Sequence, residues 1–118
     1  MHWVEHKYRV PVDDNLEEEE IRNLELWAGE IALKIMQHYR AGQRILVHCF
    51  AGRQRSAASV AFFLIAHKHM RTEDAIPFIK SKRPPAFYPR PNFIKAIAGF
   101  DRRFQQEILP SITGLRIS

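Results

Sequence analysis

The 118-residue sequence has a single cysteine. That excludes an internal disulfide and fits a reducing compartment, cytoplasm or nucleus, where a thiolate survives. No apolar run is long enough to span a bilayer, and no secretory signal is visible. Repeats, linkers and low-complexity segments are also lacking, so residues 1–118 read as one domain, near the small end of what builds a full core. Six histidines are present, but none has a convincing zinc spacing. His67 and His69 point to opposite sides of a helix, and His2 and His6 sit in the amino-terminal segment. Neither a metal nor a cofactor is expected. Acidic residues are outnumbered, 13 against 18 Lys and Arg, for a net charge of +5 at pH 7. A basic surface around Arg53, Arg55, Lys80, Lys82, Arg83 and Arg90 attracts phosphorylated or otherwise anionic partners.

The cysteine lies in a telling place. An apolar strand-like run, Arg44-Ile45-Leu46-Val47, leads into His48-Cys49-Phe50-Ala51-Gly52-Arg53-Gln54-Arg55-Ser56, and a helix-like run, Ala57 to Ile65, follows. This puts Cys49 on a strand-to-helix turn. The amino-terminal end of a helix offers unpaired N–H groups and the positive pole of a dipole, which bind phosphate and stabilise a thiolate. Gly52 allows the backbone of residues 50–55 to curl into a concave nest of N–H donors. The planar guanidinium of Arg55 matches two phosphate oxygens. His48 adjoins the thiolate, and the Ser56 hydroxyl is placed to hydrogen-bond the sulfur. The arrangement suits nucleophilic attack on phosphorus with a cysteinyl-phosphate intermediate.

The motif His48-Cys49-x5-Arg55-Ser56 resembles the signature loop of the cysteine-dependent protein tyrosine phosphatases. Its particular form, Val47-His48-Cys49-x-Ala51-Gly52-x-x-Arg55-Ser56-Ala57, resembles that of the dual-specificity branch. The resemblance implies that Cys49 is the nucleophile, Arg55 the phosphoryl clamp and Ser56 an aid to breakdown of the intermediate. Phe50, Ala51, Gly52, Arg53, Gln54 and Arg55 would bind the substrate phosphate, with His48 beside the thiolate. A proton donor for the leaving oxygen is also required. The segment Arg9-Val10-Pro11-Val12-Asp13-Asp14-Asn15 is similar to the acid loop of that branch; Asp14 is the better match and Asp13 the alternative.

The implied fold is α/β: a reduced form of the phosphatase fold, with a central sheet flanked by helices and the front strands missing. Tyr8, Val10 and Val12 alternate as in a strand, and residues 44–48 form a second, buried one. A helix is predicted over 17–40, with Ile21, Leu24, Ala28, Ile31 and Ile35 on one face and Gly42 as its stop. Another follows the nest to about Met70. Thr72 is a candidate N-cap for a helix to about Lys82, in which Pro77 sits awkwardly. A proline-rich loop spans 83–91, and Asn92 caps a last helix ending before Pro110. A sheet that begins at 8–12 exposes an edge, which a homodimer covers with help from Trp3 and Tyr8, unless Arg9 and Pro11 guard it.

The function implied is hydrolysis of phosphotyrosine and phosphoserine/threonine in proteins. Arg53 within the nest leaves open a non-protein substrate, an inositol phospholipid or an RNA 5′ phosphate, which is the only role expected for nucleic acid. A non-catalytic phosphate-binding module is a third reading, disfavoured because both Cys49 and Arg55 are present.

Overall fold

The computed structural model describes residues 18–42, 54–88 and 91–110. Four α-helices run in chain order: α1 (Glu18–Arg40), α2 (Arg55–Lys68), α3 (Thr72–Lys82) and α4 (Ile94–Arg103), the last continuing into a π-helical segment, Phe104–Ile108. Among the described residues there is no strand. The expected α/β fold with a central sheet is therefore corrected to a helical architecture, because the described residues carry their apolar side chains at helical rather than alternating spacing. The two segments read as strands, 8–12 and 44–48, lie outside the described residues. So does the sheet edge on which the homodimer expectation rests.

The first helix, α1, begins with Glu18, Glu19 and Glu20 and ends with His38 and Arg40, a charge order that suits the helix dipole. Leu24, Ala28, Ile31 and Ala32 are its buried stripe, and Ile21 and Ile35 pack partly against the same core. Gly42, at φ 74, takes the left-handed conformation that ends the helix, and its N–H donates to Tyr39 O at 3.1 Å.

At the centre lies α2. It has little amphipathy: Ala57, Ala58, Ala61, Phe62, Phe63, Leu64 and Ile65 are all buried, as expected of a helix covered on several sides. It packs against α1, α3 and α4. It ends two residues before Met70 because His69 turns left-handed at φ 59. The N–H groups of His69 and Met70 both donate to Leu64 O.

Thr72 is the first residue of α3 rather than its cap; Arg71 holds the cap position and contributes no side-chain bond there. The orphan N–H of Thr72 is satisfied from another helix. Asp101 of α4 accepts from Thr72 N–H at 3.0 Å and from the Thr72 hydroxyl at 2.9 Å. Arg71 Nε donates to both of its carboxylate oxygens, at 2.9 and 3.1 Å. Pro77 is accommodated inside the helix.

Phe93, Ala96, Ile97, Phe100 and Phe104 form the buried face of the last helix. Phe100 meets Phe62 edge-on, ring centres 5.4 Å apart, a favoured aromatic geometry. All four helices feed one cluster of buried side chains. None of the described helices is long and apolar enough to cross a membrane.

Candidate active site

The core fixes α2, and α2 carries the described part of the site at its amino-terminal end. Arg55 is the first residue of the helix, half-buried, with its Nε withdrawn from solvent. Ser56 follows and is buried. The Ser59 hydroxyl donates to Arg55 O at 2.9 Å, which holds the first turn. No acidic residue stands in that turn.

Gln54, just before the helix, is 4% exposed. Its carbonyl accepts the Ala58 N–H at 2.8 Å, opening the helical ladder. Its side-chain amide reaches across to the loop between α3 and α4. Nε2 donates to Tyr88 O at 3.0 Å, and Oε1 accepts the Asn92 N–H at 2.9 Å. Phe93, rather than Asn92, occupies the cap position of α4. Part of the loop is seated in the core. Ala86 and Phe87 are fully buried, and Phe87 has φ 63. The Tyr88 N–H donates to Pro85 O at 3.1 Å, which places Phe87 at the turn position where glycine or asparagine is usual. Burial of the ring holds a conformation that a phenylalanine otherwise avoids.

The structure thus brings together Gln54, Arg55 and Ser56 with the loop around Tyr88. His48, Cys49, Phe50, Ala51, Gly52 and Arg53, and both candidate acids Asp13 and Asp14, lie outside the described residues.

Two further titratable groups are set apart from this end. Burial acts to raise the pKa of Asp101, but the hydrogen bonds from Thr72 and Arg71 outweigh it and hold the carboxyl below the ordinary carboxylate range. An ionised carboxylate with these donors already on it is a cap, not a proton donor. Burial first, then the charges of Lys68, Arg40 and His69, lower the pKa of His67. His67 stacks on Phe63 at the far end of α2, about 18 Å along the helix axis from Arg55. An open groove of about 520 Å³ lies between α3 and α4, floored by Ile76, Pro77, Ile94 and Ala98. None of its lining residues comes from α2.

Two of these features were missed by the sequence reading. Asp101 carries a signal: four residues after Ile97 and three before Phe104, it falls on the apolar face of its helix, where a carboxylate needs partners. The bonds of the Gln54 side chain carry none, since its partners are backbone atoms 34 and 38 positions away.

Comparison with known proteins bears on the same residues. The family model for the dual specificity phosphatase catalytic domain matches residues 3–103. Protein 123R of Invertebrate iridescent virus 6, assigned as a tyrosine phosphatase, is 34% identical over 97 residues, 81% of this chain and 68% of that one. Dual specificity protein phosphatase 1 of Arabidopsis thaliana is 34% identical over 88 residues, covering 75% of this chain and 44% of the relative. Dual specificity phosphatase 28 of Homo sapiens is 32% identical over 99 residues, covering 84% and 53%. The chain thus spans about half the length of these last two relatives. No solved structure matches it significantly. With the family match running through Arg55 and Asp101 to residue 103, this chain belongs to the dual specificity phosphatase catalytic domain family, a family of protein phosphatases and so of hydrolases.

Proposed function

We propose that the domain hydrolyses phosphotyrosine and phosphoserine/threonine in protein substrates through a cysteinyl-phosphate intermediate on Cys49. The observation that carries this reading is the position of Arg55. It is the first residue of a buried helix, with its Nε shielded from water and no acid in the same turn, six positions after the cysteine. The Cys49 thiolate attacks phosphorus, an S–P bond forms and the bond to the substrate oxygen breaks. Asp14, or Asp13 in its place, gives that oxygen its proton and then takes one from water. The water oxygen attacks phosphorus, the S–P bond breaks and inorganic phosphate leaves. Backbone N–H groups of residues 50–55 and the Arg55 fork hold the equatorial oxygens, where charge develops. Ser56 supports the departing sulfur, and His48 adjoins it. A single cysteine of this kind suits a reducing compartment, cytoplasm or nucleus.

The test is a turnover panel on the purified chain: phosphotyrosine and phosphothreonine peptides, a phosphoinositide and 5′-triphosphorylated RNA. Turnover of both peptides well above the other two is expected. A preference for the phosphoinositide or the RNA would move the assignment to the non-protein reading suggested by Arg53, and phosphate binding with no turnover would make the chain a binding module.

A further inference from the structure

The geometry points to Gln54 as a positioning residue: it straps the loop between α3 and α4 to the amino-terminal end of α2 and so aims Arg55. This rests on the reading of Arg55 as the phosphoryl clamp. The side chain of Gln54 is buried, and both ends of its amide are engaged, the donor on Tyr88 O and the acceptor on Asn92 N–H. Both partners are main-chain atoms, so the strap grips the course of the loop rather than any side chain. The same residue supplies the carbonyl that starts the helix. Helix and loop therefore meet in one residue, and the next residue is Arg55.

Each half of this junction has side chains buried in the core. The loop is anchored by the buried rings of Phe87 and Phe93, and α2 by its buried faces. Between these two halves sits Arg55, the half-buried first residue of α2. A primary amide with the reach of glutamine meets the demand because it donates and accepts at once. Asparagine is one methylene shorter, so it reaches one partner at a time. Misplacement of a catalytic group by about 1 Å costs on the order of 10²-fold in rate. A strap that limits such movement acts on kcat more than on KM.

The experiment is a double-mutant cycle of Gln54→Ala and Arg55→Lys, with an aryl phosphate as substrate. Rates are expressed per active site, counted as the folded fraction read from a urea titration of each variant. Gln54→Ala is expected to lower kcat by about tenfold or more with KM nearly unchanged. It is expected to cost much less in the R55K background, because residues that act as a unit are not additive. A residue that only stabilises the fold would reduce the number of active sites and leave kcat per site intact; that result overturns the proposal, as does an equal loss in both backgrounds. Where Gln54→Ala does not fold, Gln54→Asn carries the test, with a smaller loss of kcat per site expected and no loss overturning it. Near-normal kinetics for Arg55→Lys alone would instead refute the clamp, and the strap with it.

Discussion

Replacing Asp101 by asparagine separates its capping role from its ion pair. The carboxylate receives the Thr72 N–H and hydroxyl and the Arg71 guanidinium. A hydrogen bond to a charged acceptor contributes roughly 1 kcal/mol more than one to a neutral acceptor. Three donors would give about 3 kcal/mol, but the Arg71 side chain is 51% exposed, and water screens most of its share. The expected loss for Asp101→Asn is therefore about 2 kcal/mol. With a urea slope of roughly 2 kcal/mol/M the midpoint falls by about 1 M at unchanged slope. Arg71→Ala should cost within about 1 kcal/mol. The acid dependence follows from the direction of the pKa shift. The folded-state pKa of Asp101 is depressed. Its contribution is thus complete above the unfolded-state value of about 3.9 and is lost as pH falls through the folded-state pKa. The gap in midpoint between the native chain and Asp101→Asn should hold from about pH 7 to about pH 4 and narrow below that. A constant gap, or an Arg71→Ala loss as large as that of Asp101→Asn, would refute the capping account. The variant should also leave the basic limb of the pH–rate profile in place; a flattened limb would identify Asp101 as the catalytic acid.

Cys49→Ser is expected to abolish turnover while retaining phosphate binding, since Arg55 and the helix end remain; calorimetric titration with inorganic phosphate alongside an aryl phosphate assay checks both. Asp14→Asn should slow a phosphothreonine peptide far more than an ester with a good leaving group, and flatten the basic limb of the pH–rate profile; the same behaviour in Asp13→Asn would shift the assignment by one residue. Phe100→Ala, at a fully buried ring between α2 and α4, should cost about 3–5 kcal/mol in a urea titration. Gly99→Ala should stay within about 1 kcal/mol of the native chain. Its added methyl meets the Glu25 carboxylate, the far end of a flexible side chain, while the helix gains propensity.

The helices were legible wherever a local pattern decides. Leu24, Ala28 and Ile31 were expected on one face of α1 and are its buried stripe, because a helix in contact with a core must bury one side. Gly42 was expected as its stop and takes the left-handed conformation. Long-range partners defeated the rest. Thr72 and Asn92 both look like caps in sequence, since each precedes an apolar periodic run. In the structure the Thr72 hydroxyl goes to a carboxylate 29 positions on, and the Asn92 N–H goes to an amide 38 positions back. No window of sequence contains such pairs. Phe87 shows the same limit for the backbone: local preference places glycine at a left-handed turn position, and only burial of its ring explains a phenylalanine there. The central sheet is an expectation from the family resemblance and two apolar runs; among the described residues the core is built from the helices and the loop that carries Ala86 and Phe87.

For the site, the motif named residue types and spacing, which local chemistry dictates. It could not show that three consecutive residues divide their work. Gln54 turns to the loop, Arg55 opens the helix, and Ser56 is buried beside it. That division follows from helix geometry: successive residues are rotated by about 100°. A helix packed on several sides therefore presents one to the loop, one to the open end and one to the core. If Arg55 is the phosphoryl clamp proposed above, its aim depends on contacts that do not touch phosphate. Phe62 and Phe100 fix the axis of α2, and the amide of Gln54 fixes its first turn against the loop. On the proposed roles of Arg55 and Gln54, catalytic geometry in this domain is a property of its core, held by residues from Gln54 to Phe100.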